Sequence, residues 1–391
     1  MLSEEFYHKI AGNNINFLIG SGMSTPLYKT LSLPNSARIS FNFSFEDVLT
    51  HKKLSEESKY VLYLYYYLSI IEETTKDINI DCILEKDKDQ LNARDKVIYN
   101  YFRFIQWIKE YLANTGIEQP KRINIFTTNY DLLFERTFDF ILKDNPLLWF
   151  NDGSRGFFRK IINSENYNIN ILHSGFHDNY RRELSLVNLY KLHGSVLWRY
   201  SDDKQYIELD ENFELYKDIG QKIDVHTKET ILNVLKGIEA IELDDYIDEV
   251  NRVVLDSIFD LDENVLLDFY EVYKKILIVN PNKGKFEETV FNQHYYQLLR
   301  AFSYELEKRQ TTLVVFGFSF ADEHIRSIVK RSLLNPELQV FIIPFSKNSY
   351  KTMKLYFSGY NNIQFIPDFG IEKNSVRGDF EYLLDLLGAE G

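Results

Sequence analysis

Short apolar runs that end in glycine or small polar residues recur along this chain, and they predict buried β-strands followed by turns. The first run is NINFLIG at residues 14–20, and SGMST follows it directly. A second run covers residues 123–126 before TTNYD, and a third covers 185–190 before KLHGS. Continuous apolar runs of this length, bounded by turn-forming residues, are typical of strands buried on both faces of a parallel sheet.

The C-terminal part of the chain continues the pattern and alternates strand-like runs with helical ones. Pro281 interrupts the first of these runs, which we still predict to be a strand. Alternation of this kind implies βαβ units and a parallel sheet covered by helices on both faces. The predicted elements are strands at 275–280, 311–316 and 338–346 and a helix at 288–309.

Three other stretches repeat their apolar residues every three or four positions, which predicts amphipathic helices. Residues 43–70 and 94–114 combine this spacing with intervening charges, and their many aromatic residues are expected to belong to a core. Residues 202–271 are acidic and mostly helical in period. We interpret this last stretch as an insertion with a solvated face.

These patterns predict an α/β fold with a doubly wound, Rossmann-like parallel sheet and a largely helical second lobe built from insertions. The 391 residues suffice for one large domain with insertions or for two ordinary domains. The predicted sheet domain comprises residues 1–30, 116–201 and 272–391. The predicted helical lobe comprises residues 31–115 and 202–271.

Composition and charge narrow the class of protein. Hydrophobic residues make up 45% of the chain, as in a globular protein, and the net charge of -13 opposes a general attraction to nucleic acid or anionic lipid. The single cysteine, Cys82, excludes an intramolecular disulfide and a zinc site built on paired CxxC motifs. No run approaches the roughly 18 apolar residues of a membrane span, and the N-terminus lacks a signal-peptide pattern. We therefore expect a cytoplasmic chain without membrane contact.

Four predicted strand ends carry residues suited to a polar ligand. They are GSGMS at 20–24, TTNYD at 127–131, LHGS at 192–195 and GFSFADEH at 317–324. In an open α/β sheet the ligand crevice lies beyond the carboxyl ends of the strands, so these turns are expected to line one crevice. Gly20 and Gly22 would let backbone amides approach an anion, although such a turn also serves simply to join a strand to a helix.

Each candidate side chain also has a purely structural interpretation. Asn129 offers an amide donor and acceptor but also suits a turn, and Asp131 suits the N-cap of the following helix. His193 lies between an apolar strand and a glycine, where it is either a partly buried bystander or a base that faces the crevice. Asp322 and His324 are interpreted equally well as a helix N-cap and a surface residue.

In sequence order, LIGSGMS, FTTNYDLLFE, LYKLHGS and VVFGFSFADEHI resemble the motifs of sirtuin-like domains. Those motifs are a glycine-rich NAD loop, a T-x-N-x-D turn, a strand ending in HG and a late G-x-S loop. The chain most resembles the bacterial sirtuin-like NAD hydrolases of antiphage defence. Residues 276–309 with the following VVFGFSFADEH are similar to subunits that assemble with a HerA-type hexameric ATPase. The two CxxC pairs of protein-deacylating sirtuins are missing, and STPLYKT keeps only the proline of their proline, aspartate and phenylalanine.

The resemblance implies a sirtuin-type fold and an NAD+ glycohydrolase that releases nicotinamide and ADP-ribose and depletes NAD in infected bacteria. It implies that Asn129 holds the nicotinamide ribose and orients water. It also implies that His193 is the general base, and the ordinary histidine pKa of about 6.5 suits that task. NAD would be the substrate, and neither zinc nor another metal is expected. The other residues expected to bind NAD are Gly20, Ser21, Gly22, Ser24, Thr128, Asp131, Gly317, Phe318, Ser319 and Asp322.

The resemblance also implies partners. We expect a homo-oligomer, for which the aromatic helices would supply apolar contact surface, and a HerA-type ATPase as the partner, with nucleic acid contacted at most through it. One alternative is a catalytically weak subunit that binds NAD or ADP-ribose for assembly. Others are an NAD-dependent protein deacylase or ADP-ribosyltransferase, and then a nucleic-acid-binding protein, against which the charge balance weighs.

Overall fold

The computed structural model describes the chain in several ranges, which divide into two compact units. The first unit comprises Met1–Leu27, Ile78–His193 and Gln293–Gly391, and the second comprises Tyr28–Asp77 and Gly194–Asn292. We call them the sheet unit and the helical unit. The described residues are 3–33, 41, 43–257, 263–280, 289–370 and 376–389.

Strands and helices alternate along most of the sheet unit, while helices dominate the helical unit. The strands are β1 (Asn14–Ile19), β2 (Arg122–Thr127), β3 (Leu148–Asn151), β4 (Ser154–Arg155), β5 (Ile161–Ile162), β6 (Leu172–His173), β7 (Arg182–Glu183), β8 (Ser185–Lys191), β9 (Trp198–Tyr200), β10 (Ile207–Leu209), β11 (Thr311–Phe316), β12 (Leu338–Ile343) and β13 (Ile363–Phe365). The helices are α1 (Ser3–Ile10), α2 (Phe45–Leu49), α3 (Glu56–Tyr66), α4 (Glu72–Thr75), α5 (Ile80–Leu84), α6 (Ala93–Asn114), α7 (Leu133–Leu142), α8 (Glu214–Lys222), α9 (Val225–Val234), α10 (Leu243–Ser257), α11 (Glu263–Tyr273), α12 (Thr289–Leu306), α13 (Glu323–Ser332), α14 (Lys347–Tyr356) and α15 (Phe380–Leu387).

A seven-stranded sheet forms the centre of the described sheet unit, and every neighbouring pair of its strands is parallel. The strand order is β13-β12-β11-β1-β2-β8-β3. The order in which the chain adds strands to the sheet reverses at β1. The strands β2, β8 and β3 lie on one side of β1, and β11, β12 and β13 lie on the other. The predicted Rossmann-like α/β architecture is thereby confirmed, and in such sheets ligands bind beyond the carboxyl ends near the reversal.

The inner strands form where the sequence is apolar on both faces. Phe17 and Leu18 of β1 are completely buried, and every residue of β11 is buried. Such strands must be covered by helices, and α6 supplies part of that cover. The ring of Phe104 in α6 meets the ring of Phe17 edge to face, with 5.0 Å between centroids.

The packing of α6 corrects the predicted domain boundary. Residues 78–115 were expected in the helical lobe, but residues 78–193 belong to the sheet unit. The apolar face of α6 packs on the sheet, so its helical period does not indicate an insertion. A second difference concerns residues 28–30, 194–201 and 272–292, which lie in the helical unit and not in the sheet domain.

The strand predicted at 275–280 is also wrong. Leu277 and Ile278 are buried, but only Ile278 pairs with another strand-like residue, through an isolated antiparallel bridge to Gly194. Burial without a regular sheet partner explains the apolar run here. Pro281 and the first residue of the predicted helix at 288–309 lie outside the described residues, and the described helix begins at Thr289.

Aromatic side chains form much of the core of the helical unit. Tyr63 in α3 packs against Tyr270 and Tyr273 in α11, with centroid distances of 5.4 Å and 5.3 Å. Tyr67 packs against Phe269 at 5.7 Å. The prediction that these aromatic residues belong to a core is confirmed. No helix of the described chain is both long and apolar enough to span a bilayer.

A row of buried asparagines crosses the sheet in register. Asn124 in β2 donates to Oδ1 of Asn16 in β1 at 2.9 Å, and Asn188 in β8 donates to Oδ1 of Asn124 at 3.0 Å. Asn151 in β3 donates in turn to Oδ1 of Asn188 at 2.9 Å. The strand register places these residues side by side, so each amide satisfies its neighbour in an otherwise apolar layer.

Replacing Asn124 by leucine should destabilise the sheet unit. The change leaves a buried acceptor on Asn16 without its donor and removes the shortest hydrogen bond of the Asn188 amide, which keeps longer ones to Tyr167 and Tyr190. A buried acceptor without its donor costs about 1–3 kcal/mol, so the free energy of unfolding should fall by at least about that amount. Urea unfolding measures the change, and Asn179→Leu at an exposed position is the matched control. Equal stability of Asn124→Leu and the control would contradict the role of the row.

A buried histidine makes stability depend on pH. His294 in α12 is 8% exposed, and burial lowers its pKa to about 4. Because the unfolded side chain has a pKa of about 6.5, between these values the unfolded chain binds a proton that the folded chain does not. The free energy of unfolding should therefore keep its full value above about pH 6.5. It should fall as the pH drops toward 4, by at most about 1.4 kcal/mol per pH unit. The melting temperatures of wild type and His294→Gln at about pH 7.5 and about pH 5 test this, and the variant should lose less than the wild type. Identical losses would refute it.

Candidate active site

Two loops of the sheet unit meet above the carboxyl ends of the central strands. His193 follows β8 and Asp322 lies in the loop after β11, and these strands are three positions apart in the sheet. Strand spacing of about 4.8 Å puts them roughly 14 Å apart. Even so, Nε2 of His193 lies 2.9 Å from Oδ2 of Asp322. The loops therefore reach toward each other across the ends of β1 and β2, which carry the other predicted site residues.

Asp322 is both a helix cap and the partner of His193. Its Oδ1 accepts the backbone N–H of Ile325 at 3.0 Å and so caps α13, as the structural interpretation predicted. Burial by itself raises the pKa of the Asp322 carboxyl, but the hydrogen bond and charge of His193, with two backbone amides, hold that pKa below its usual value. The side chains of both partners are less than one fifth exposed.

The carboxylate of Asp322 determines which nitrogen of His193 can accept a proton. A proton on Nε2 is held toward Asp322, so the lone pair of the neutral ring is on Nδ1. A histidine oriented in this way by a carboxylate is the arrangement of a general base. His193 is half-buried, which agrees with both interpretations that the sequence left open.

Asn129 lies in the turn after β2 and is buried, and only the nitrogen of its side-chain amide forms hydrogen bonds. Its backbone N–H donates to Oγ1 of Thr127 at 3.0 Å, and its Nδ2 donates to the carbonyl of Gly20 and to Oγ of Ser24, both at 3.2 Å. Oδ1 is buried and has no hydrogen-bond partner among the described residues. A buried acceptor without a donor is costly, so this oxygen is suited to a ligand or water that supplies one.

Ser24 and Asp131 lie beneath Asn129 and not on an open surface. Ser24 is 2% exposed, and its hydroxyl lies 2.8 Å from Oδ2 of Asp131. Oδ1 of Asp131 accepts the N–H of Leu133 at 3.1 Å, but the N-cap position of α7 is Leu132, so Asp131 is not the N-cap residue. Both residues were predicted to bind NAD, whereas their observed contacts are with the protein.

The glycine-rich loop packs against the backbone of a second loop. Gly20 donates to the carbonyl of Phe316 and Gly22 donates to the carbonyl of Gly317, both at 3.0 Å. The two backbone N–H groups that were expected to bind an anion thus already donate hydrogen bonds to protein carbonyls. Residues 21–24 form a short 3₁₀ turn, and no α-helix follows it within the described residues 25–33, so this stretch offers no long helix whose N-terminus would attract an anion. The glycines are required because a Cβ on Gly20 would lie 2.4 Å from the carbonyl oxygen of Gly317.

Replacing Gly317 by alanine should separate the two loops. Gly317 has φ of +64°, and a Cβ there would lie 2.6 Å from the amide nitrogen of Met23. We expect the free energy of unfolding to fall by at least about 2 kcal/mol from the left-handed conformation and the clash together. Gly359→Ala is the matched control, because Gly359 has φ of +92° and open space around it. Urea unfolding should show the larger loss for Gly317→Ala, and equal losses would contradict the packing argument.

The remaining predicted residues differ in exposure. Thr128 is half-buried and its N–H donates to the carbonyl of Ile19 at 3.0 Å. Phe318 is half-buried, and its ring packs edge to face on Phe320 with 5.1 Å between centroids. Ser21 and Ser319 are exposed, as is His324. Oγ of Ser319 accepts the backbone N–H of Ala321 at 3.4 Å.

Lys191 and Glu135 lie near the site and were not predicted from the sequence. Lys191 is the last residue of β8, is 2% exposed, and has Nζ 3.1 Å from Oε1 of Glu135. Burial raises the pKa of the Glu135 carboxyl, although the charge of Lys191 opposes the rise. The sequence feature that could have indicated this ion pair is the lysine itself, because a charged side chain in an apolar strand is rarely buried without a partner.

No known family model matches the chain, and no curated protein matches it. Within the described ranges, no group of three or more histidine, cysteine, aspartate or glutamate side chains is arranged to hold a metal ion.

Proposed function

We propose that the chain is an NAD+ glycohydrolase of sirtuin type that releases nicotinamide and ADP-ribose in the bacterial cytoplasm and depletes NAD during phage infection. The observation that carries the proposal is the His193 and Asp322 pair, an oriented base above the strand ends at which Asn129 keeps a buried acceptor. The order of the motifs supplies the choice of NAD as substrate.

The proposed reaction breaks the bond between the nicotinamide ring nitrogen and C1′ of the ribose. The bonding pair goes to the ring nitrogen, so nicotinamide leaves as a neutral molecule and C1′ acquires oxocarbenium character. Water adds its oxygen to C1′ and gives one proton to Nδ1 of His193, which later releases it to solvent. Catalysis then depends on stabilising positive charge at the sugar and on placing the water.

The described residues suit the nicotinamide ribose better than they suit the pyrophosphate. Oδ1 of Asn129 is positioned to accept a hydrogen bond from a ribose hydroxyl, which would satisfy the buried oxygen. The amides of Gly20 and Gly22 are engaged, so the proposal assigns the pyrophosphate to the hydroxyls of the exposed residues Ser21 and Ser319. Gly20, Gly22 and Gly317 are assigned to shaping the loop.

The proposed assembly follows from the resemblance alone. We propose a homo-oligomer and a HerA-type hexameric ATPase as partner, with nucleic acid contacted through that partner. An NAD hydrolase without regulation would harm its own cell, so the partner or the oligomer is also proposed to control the activity.

Product analysis in labelled water tests the proposed reaction. Purified protein, alone and with its ATPase partner, is incubated with NAD in H₂¹⁸O, and the products are identified by mass spectrometry. The proposal predicts equal amounts of nicotinamide and ADP-ribose carrying one ¹⁸O atom, with no acceptor peptide. Release that requires an acylated peptide would indicate a deacylase, and NAD binding without release would indicate a binding subunit.

A further inference from the structure

A buried polar network lies beneath the turn that carries Asn129. Tyr101 in α6 is 0% exposed, and its hydroxyl lies 2.9 Å from Oγ of Ser24. Ser24 in turn contacts Oδ2 of Asp131 at 2.8 Å. Lys191 Nζ donates to the backbone carbonyl of Asp131 and pairs with Glu135 in the first turn of α7. The network therefore links α6, the glycine-rich loop, the turn after β2 and the end of β8.

The donors and acceptors available fix the direction of each hydrogen bond. A carboxylate only accepts, so the single hydrogen of the Ser24 hydroxyl goes to Asp131. Tyr101 must then donate to Ser24, and the amide of Asn129 donates to the remaining lone pair of Ser24. The hydroxyl of Ser24 thus makes its one donor bond and fills both acceptor positions.

This saturation holds the Asn129 amide in one orientation. A flipped amide would place Oδ1 against the carbonyl oxygen of Gly20 and against a hydroxyl of Ser24 that has no hydrogen left to donate. The amide nitrogen therefore points into the protein, and Oδ1 remains as the acceptor without a protein donor. Tyr101 contributes by fixing the position of the Ser24 hydroxyl, because the hydrogen of that hydroxyl goes to Asp131 whether or not Tyr101 is present.

Lys191 fixes the backbone of the same turn. A buried ammonium is costly unless paired and hydrogen-bonded, and an apolar side chain would suit the rest of β8 better. Its partners are the carbonyl two residues after Asn129 and the carboxylate of Glu135. The lysine thereby ties the turn to the beginning of α7, a link that an apolar residue at position 191 would lose.

We propose that Tyr101 and Lys191 are positioning residues that hold Asn129 with Oδ1 presented to the nicotinamide ribose. The inference rests on the proposed function for the identity of the substrate, but the orientation of the amide follows from the network alone. Neither residue needs to touch NAD. Their loss should therefore lower kcat for nicotinamide release more than it raises KM for NAD.

Three variants and one control test the network through kinetics. Tyr101→Phe should lower kcat about tenfold, as expected for about 1.4 kcal/mol of lost transition-state stabilisation, and should change KM less than twofold. Lys191→Met should lower kcat about 100-fold or more, and Lys191→Arg should restore much of it because guanidinium can donate to both partners. Tyr167→Phe controls for the loss of a buried hydroxyl, because Tyr167 is 1% exposed and its hydroxyl lies 2.7 Å from the carbonyl of Asp152 and 3.0 Å from that of Leu189. Wild-type kcat in folded Tyr101→Phe would overturn the proposal, whether or not Lys191→Met folds.

A second measurement separates failure of this inference from failure of the proposed function. The side-chain NH₂ of Asn129, observed by ¹⁵N nuclear magnetic resonance in the full chain without NAD, should exchange slowly with solvent and should exchange faster in Tyr101→Phe. Slow exchange together with an inactive wild type would overturn the hydrolase proposal and leave the network established. Equal exchange in the two proteins would overturn the network even if the wild type is active.

Discussion

Replacement of His193 by alanine is expected to lower kcat for NAD+ hydrolysis by about 10²–10⁴-fold, the usual contribution of a general base. The side chain that would take the proton from water is removed. Asp322→Asn should also lower kcat, by at least about tenfold, because the orienting charge is lost although asparagine still caps α13. Steady-state nicotinamide release measures both effects.

A matched histidine controls for the His193 result. His324 is exposed and lies two residues from Asp322, so His324→Ala should keep kcat within about twofold of wild type, as expected where no transition-state contact is removed. The melting temperatures of all variants are compared first. Wild-type kcat in folded His193→Ala would show that another group takes the proton.

Replacement of Asn129 by alanine is expected to lower kcat/KM for NAD by about 10²–10³-fold, the range found for a preorganised hydrogen-bonding group at a reacting centre. Asn129→Asp should be as inactive and less stable. It keeps an acceptor but places carboxylate oxygen near the carbonyl of Gly20 and removes the donor to Ser24. Kinetics together with calorimetric NAD binding separate lost affinity from lost turnover.

The control for Asn129 is a structural asparagine of the same unit. Asn145 lies three residues beyond the end of α7 and donates to the carbonyl of Ile141 at 2.7 Å, so Asn145→Ala should cost stability without changing kcat/KM. An Asn129→Ala variant that hydrolyses NAD as fast as Asn145→Ala would remove Asn129 from the mechanism.

The inner strands of the sheet could be predicted from the sequence because they are buried on both faces. The runs that became β1, β2, β8 and β11 are apolar over most of their length and end in turn-forming residues. The edge strands β3 and β13 were missed because they are short and partly exposed. Trp149 in β3, for example, is 47% exposed. The run at 275–280 shows the opposite error, because burial alone does not distinguish a strand from a buried connection.

The positions of the candidate site residues were easier to predict than their contacts. Sequence order and strand-end placement indicated that His193, Asn129 and Asp322 lie at one edge of the sheet. The sequence could not show that Gly22 packs on Gly317, because that contact joins loops that are distant in the chain. Tyr101 was missed for the same reason, since it reaches Ser24 from a helix that was expected in another domain.

The central claim is tested most directly by nicotinamide release from NAD by wild type, Asn129→Ala and His193→Ala, measured side by side without an acceptor peptide and with the proposed ATPase partner both present and absent. The proposed hydrolase predicts release by the wild type and its near abolition in each variant, with the folded state of each protein confirmed by its melting temperature. No release by the wild type under either condition, or equal release by all three proteins, would contradict it.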